Sequence, residues 1–273
     1  ATVSVSCVTD VSDSAVCAHG CDVQHDRGGE GGGSGMEVGS SAPPPQSPHP
    51  RDGRKSVDRD LAAAALGSCD PSPSAPRGLL LHLFAGGPRE GSFAHFAIAL
   101  GFDVIERDII LDPGHNLVDD RVFAEVIELI QSGAVKAVLL GTPCGTFSVL
   151  RIPQQDGREG PPQLRDRLHP MGMPGVPRQN LNELATANVL VRRTVIIAQA
   201  IADAGGVFII ENPPDRGDGP LYQAKFASHA PLWLVPEVIE LADRTGAIKI
   251  TFPQCALGSD FQKWTTLLVS PAL

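Results

Sequence analysis

KAVLLGTPCGTFS, residues 136–148, is the stretch from which the fold can be read. From Lys136 to Gly141 it is almost uninterruptedly apolar, the pattern of a short strand buried on both faces. Pro143 and Gly145 then break the extended run, which places Cys144 in a turn just beyond the strand's C-terminal end.

Comparable apolar runs flank it. Strands are expected at 79–84, 103–107, 136–141, 207–212, 247–252 and 265–270, each covered on both faces. Between them the apolar residues recur with helical spacing at 92–100, 121–131, 182–204 and 236–244. In the second of these, Val122, Val126, Leu129 and Ile130 share one side while Glu125 and Glu128 point away. Strands that alternate with helices predict an α/β fold, a doubly wound and mostly parallel sheet of Rossmann-like form. Such sheets bind ligands beyond the C-terminal ends of their strands, where the strand order reverses. Residues 151–178, crowded with Pro, Gly and Arg, read as one long loop.

Ahead of this domain, assigned to residues 78–273, lies a stretch of different composition. Residues 1–77 carry GGEGGGSG and APPPQSPHP and offer little apolar surface, so a disordered tail is expected there. Net charge is −9, and neither part is basic: the tail has 6 basic and 10 acidic residues, the remainder 16 and 21. Binding to DNA phosphates normally needs a basic face, so the domain alone should hold DNA weakly. No apolar run reaches the roughly 18 residues of a membrane span, and no basic-then-apolar leader opens the chain. The expectation is a soluble intracellular protein without a membrane partner; the oligomeric state leaves no mark in the sequence.

The six cysteines do not suggest disulfides. Cys17 and Cys21 with His19 and His25 are the one grouping with a zinc-like look, but they fall in the tail without a second well-spaced pair, and no metal is expected.

Three turns carry the candidate chemistry. The first strand runs into FAGGPREGSF, where Gly86 and Gly87 let the backbone turn tightly and approach a ligand of nucleotide size. The dehydrogenase pattern GxGxxG is missing, which argues against NAD. Asp108 follows about twenty residues later at the end of the second strand, where a carboxylate can accept from both ribose hydroxyls. Glu106 shares its face and competes for that role; Asp108 is preferred because it stands nearer the strand end. Cys144 is a nucleophile only as its thiolate, and the alternative is a cysteine buried as a small hydrophobe. The strand VFIIEN closes on Glu211, and Pro213 and Pro214 stiffen the turn behind it. If the strands before Cys144 and Glu211 are neighbours, thiol and carboxylate meet in one pocket; otherwise Glu211 is a solvated strand end.

Together LHLFAGG, GTPCGTFS and IIENPP resemble, in order and rough spacing, three hallmarks of the cytosine-5 DNA methyltransferases. From Leu79 onward the chain is more closely similar to methyltransferase-like domains of retroelement polyproteins in unicellular algae. NLVDD at 116–120, Leu164–Arg165, Ala187–Asn188, QCALG and KWTTLL carry that likeness. The resemblance implies S-adenosylmethionine as cofactor, with Phe84, Ala85, Gly86, Gly87 and Pro143 lining it, Asp108 on its ribose and Asn116 near its adenine. It further implies that Cys144 attacks carbon 6 of cytosine while Glu211 bonds ring nitrogen 3. DNA would be the partner and, in a eukaryote, the nucleus the place of action. Two features depart from the family: its QxRxR segment is replaced by Gln254, Cys255 and a later Lys263, and the stretch shows no target-recognition region. Lys263, Arg151 and Arg165 are the cations left to contact phosphates; the alternative, of at least equal weight, is that they are solvated surface charges. The competing expectations are a binding domain without turnover and a methyltransferase acting on RNA or a free base.

Overall fold

The computed structural model describes residues 77–89, 91–153, 160–257 and 262–271. Apart from Arg77, the expected disordered tail lies outside them, and so does the Cys17–Cys21 grouping.

Six strands form one sheet: β1 Leu79–Leu83, β2 Asp103–Arg107, β3 Val135–Leu140, β4 Val207–Asn212, β5 Ile248–Pro253 and β6 Trp264–Val269. Their order is β2-β1-β3-β4-β6-β5. β1 pairs in parallel with β2 and β3, and β3 in parallel with β4. β6 alone runs antiparallel, wedged between β4 and β5. Four helices connect them: α1 Phe93–Ala99, α2 Asp120–Gln131, α3 Leu181–Asp203 and α4 Pro236–Thr245.

The helix ends follow local chemistry. Ser92 caps α1 by accepting the His95 N–H at 3.2 Å, and Asp119 caps α2 by accepting the Arg121 N–H at 2.8 Å. α4 opens on Pro236 and stops at Gly246, whose φ of 68° a glycine adopts without strain. α2 packs against α3 and α3 against α4, which makes one helical layer, whereas α1 packs on β2. Right-handed crossovers in both directions from β1 put α1 on the opposite face, so the sheet is doubly wound as expected.

The core sits between the sheet and the α2–α3–α4 layer. Leu81 and Leu83 of β1, Val138 and Leu140 of β3, and Phe208 and Ile210 of β4 point into it, against Val126, Ile130, Ile197, Ile201 and Leu241. Each such side chain contributes about 1.5–3 kcal/mol on burial. Although α3 is long and apolar enough to cross a membrane by composition, it is the central helix of this layer.

The other face corrects one expectation. Burial on both sides fails for β5, where Ile248 is 61% and Ile250 44% exposed, and Ile209, Leu267 and Val269 on the same face are only partly buried. An apolar run reports what a strand is made of; cover depends on how many helices lie on each face, and α1 with seven residues reaches only the β2 end.

Chain order turns around β1, with β2 on one side and β3 on the other. The ends of β1 and β3 are therefore the switch point, and they touch: the Gly141 N–H donates to the Leu83 carbonyl at 3.0 Å. A Cβ placed on Gly141 would meet the Phe84 carbonyl oxygen at 2.8 Å, so only glycine permits this approach.

Candidate active site

Two clusters form at the C-terminal ends of the parallel strands. The first follows β1. Phe84 holds a left-handed φ of 57°, costly for a bulky residue, and Gly86 continues with φ 75°. That sequence of dihedrals turns the Gly86 N–H onto Asp108, whose Oδ2 accepts it at 2.9 Å, while Oδ1 accepts the Ile110 N–H at 2.8 Å. The glycine turn and the acidic residue are thus one constructed unit. Glu106 is committed elsewhere: it bonds Nδ1 of buried His82 at 3.0 Å. Burial above all holds the His82 imidazole below its ordinary pKa, against the opposing pull of Glu106.

This unit fits a nucleoside-bearing cofactor on its own terms. A Cβ built on Gly86 meets nothing within 4 Å, so space stands in front of the turn. Each Asp108 oxygen accepts one backbone N–H and keeps a lone pair for a hydroxyl. Ile109 and Ile110, 60% and 67% exposed, add apolar surface beside it, with an Ile110 methyl 3.7 Å from a Cβ placed on Gly87. The sequence reading overlooked both isoleucines; exposed large apolar residues next to a glycine turn were the signal. Ala85 is buried, Phe84 and Gly87 half-buried. Asn116 stands apart on the turn before α2, where its Oδ1 accepts the Val118 N–H at 3.0 Å; among the described residues no hydrogen bond joins it to the glycine turn.

The second cluster lies across β3 and β4. These strands pair from Ala137↔Val207 to Leu140↔Ile210, so the turns that leave them are neighbours. Asn212 fastens the two by donating from Nδ2 to the Thr142 carbonyl at 2.7 Å; its own Oδ1 is buried without a partner. Trp233 Nε1 donates to the Pro213 carbonyl at 2.8 Å and holds the proline turn. Pro143 and Cys144 are exposed on the adjoining loop. Glu211 Oε1 accepts from the Thr265 hydroxyl at 3.1 Å and lies 3.6 Å from Lys263 Nζ.

Electrostatics join the pieces. Although Cys144 is exposed as a residue, partial burial of its thiol pushes the pKa up; the Glu211 carboxylate pushes the same way and the Lys263 ammonium opposes both. The thiol thus feels both the carboxylate and the ammonium. The thiol stays protonated at neutral pH, and its reactivity climbs as pH rises.

Two of the cations expected at phosphates are not there to meet them. Arg165 is 2% exposed: Nε donates to Thr146 Oγ1 at 3.1 Å, Nη1 to the Pro170 carbonyl at 2.5 Å and Nη2 to Asn188 Oδ1 at 2.7 Å, with the Phe147 ring 4.1 Å below. Burial, with the Arg151 charge nearby, pulls the Arg165 pKa down to about 10. Arg151 donates to the Gly145 and Pro162 carbonyls and pairs with Glu183 on α3. The described residues of 151–178 form the expected loop, and it also serves as a brace: it carries two arginines that hold the Cys144 turn and tie it to α3. A string of Pro, Gly and Arg hid this because half of the acceptors are backbone carbonyls, which no sequence displays, and the others are side chains distant in the chain. Lys263, half exposed beside Glu211, remains open to solvent. Arg165→Met removes the donors to Thr146, Pro170 and Asn188 at once; we expect it to cost about 2–4 kcal/mol, read as a fall in the denaturation midpoint.

Fold and site thus define the class: a Rossmann-like, doubly wound α/β domain with a glycine turn braced by Asp108 after β1, and with Cys144 and Glu211 at the ends of the paired strands β3 and β4. No protein-family model and no curated protein matches the chain. Among solved structures it is similar to the Dnmt2 methyltransferase of S. pombe, at 12% identity and a TM-score of 0.37, over 72% of this chain and 52% of that one. The chain spans about half the length of that protein, and a likeness of this depth defines no activity here.

Proposed function

We propose that the domain is an S-adenosylmethionine-dependent methyltransferase acting on carbon 5 of cytosine in nucleic acid, DNA in the first place. The observation that carries this reading is the parallel pairing of β3 with β4, which sets the turn bearing Cys144 beside the strand end bearing Glu211. Asp108 and the Gly86 turn would hold the cofactor, which when bound supplies an electrophilic methyl group on sulfonium. Once its proton has passed to water, the Cys144 sulfur would add as thiolate to carbon 6 of the ring, while Glu211 meets ring nitrogen 3, sharing a proton there as negative charge enters the ring. Carbon 5 thereby becomes the nucleophile and would take the methyl group, the bond to the donor sulfur breaking to leave a neutral thioether. Loss of the carbon 5 proton to water and expulsion of Cys144 would then restore the ring and the thiolate. Lys263, 3.6 Å from Glu211, favours both anions in the cleft. The target base must be unstacked to enter, at a cost of a few kcal/mol.

A second reading, a cofactor-binding domain without turnover, draws on two observations: the thiol pKa is raised rather than lowered, and Arg151 and Arg165 are spent inside the fold. Calorimetry with S-adenosylmethionine, paired with transfer of a tritiated methyl group to DNA or RNA, separates the readings. Binding with transfer to DNA supports the first, binding alone the second, and transfer confined to RNA moves the substrate class.

A further inference from the structure

We infer that His229 is a positioning residue that pegs the loop carrying Cys144 to the loop following Glu211 and so keeps the two groups in register. The inference rests on the reading of their cleft as the reaction site. His229 drew no attention as sequence, a lone histidine in ASHAPLW within a long coil.

Its side chain is 2% exposed. Nε2 lies 2.8 Å from the Phe147 carbonyl oxygen, which can only accept, so Nε2 carries the proton. Nδ1 is then the acceptor and receives the Arg216 backbone N–H at 3.1 Å. Both nitrogens are used, which holds the ring in one orientation. Each end reaches a reacting residue through a short piece of backbone. Phe147 closes the turn that bears Cys144, because its N–H donates to the Cys144 carbonyl at 2.9 Å. Arg216 lies five residues past Glu211, beyond the rigid Pro213–Pro214 step.

The peg is itself anchored. Arg167 Nη1 donates to the His229 carbonyl at 3.0 Å and to both oxygens of Asp215 at 2.9 Å, and Asp215 Oδ1 accepts the Gly217 N–H at 2.8 Å. A Cβ on Gly217 would lie 2.9 Å from Arg167 Nη1 and 3.1 Å from the His229 carbonyl oxygen, so the packing there leaves no slack. A small cavity of about 10 Å³, room for one water, adjoins the ring between Thr146, Gln163 and Arg165. The hydrogen bonds of the imidazole itself reach the Cys144 loop and the loop after Glu211.

The test uses Cys144 as its own reporter in the full chain. Iodoacetamide labelling is followed across pH by mass spectrometry of the Cys144 peptide, with and without Glu211→Gln, in the wild-type, His229→Ala, His229→Gln and His229→Asn backgrounds. With His229 in place, Glu211→Gln lowers the midpoint of Cys144 labelling. In His229→Ala we expect that shift to fall by at least half. Gln keeps a donor for Phe147 and Asn an acceptor for Arg216, so each should retain part of it. S-adenosylmethionine affinity should stay within about twofold. A full shift in all three variants overturns the inference. Should His229→Ala fail to fold by circular dichroism, the Gln and Asn variants decide on the same criterion. If Glu211→Gln moves nothing even with His229 present, the shared cleft itself is refuted, and the peg with it.

Discussion

Cys144→Ser should abolish methyl transfer, by at least about 1000-fold, while S-adenosylmethionine binds as before. The serine hydroxyl is isosteric but far less acidic and less polarisable, so carbon 6 is not attacked. Cofactor affinity is spared because the groups that would hold the nucleoside, the Gly86 turn and Asp108, lie on the β1–β2 side and share no hydrogen bond with the Cys144 loop. Transfer to a cytosine substrate and calorimetry with cofactor check the two halves separately. Loss of both would mean that Cys144 shapes the loop; retention of transfer would mean that another group is the nucleophile.

Glu211→Gln should lower methyl transfer by about 100- to 10,000-fold, the range over which a positioned proton-transfer group acts. A glutamine keeps the bond to Thr265 but neither shares a proton with ring nitrogen 3 nor balances Lys263. The same substitution should make the thiol more reactive. Glu211 raises the Cys144 pKa, so its removal lets the thiolate form at lower pH, and labelling below the original midpoint becomes faster. Catalysis falls while nucleophilicity rises; a residue that merely supported the fold would lower transfer without accelerating the thiol.

Much of this architecture was legible because it rests on patterns that sequence displays. Strand runs and helical spacing located all six strands and four helices within a residue or two, since apolar periodicity is a direct record of burial in the α2–α3–α4 layer. The pairing of β3 with β4, the strands that lead to Cys144 and Glu211, was anticipated. Three things were out of reach. β5 has the composition of a buried strand but lies where no helix covers it. Arg151 and Arg165 read as surface cations because half of their partners are the carbonyls of Gly145, Pro162 and Pro170, a group present at every position, and the rest, Thr146, Glu183 and Asn188, are brought to them only by the fold. His229 reads as an ordinary coil residue until the fold brings Phe147 and Arg216 to its two nitrogens. Patterns report which face of an element is apolar; they do not report which backbone atoms of distant loops converge.

The central claim is that Cys144 adds covalently to a pyrimidine held against Glu211 in the presence of the methyl donor. Cytosine carrying fluorine at carbon 5 tests it directly, because after methylation fluorine cannot leave as a cation and the adduct is trapped. Incubation of the full chain with S-adenosylmethionine and a 5-fluorocytosine oligonucleotide, followed by proteolysis and mass spectrometry, should give a methylated nucleotide adduct on the Cys144 peptide. No adduct, or one mapped to Cys255 or another residue, would contradict the account.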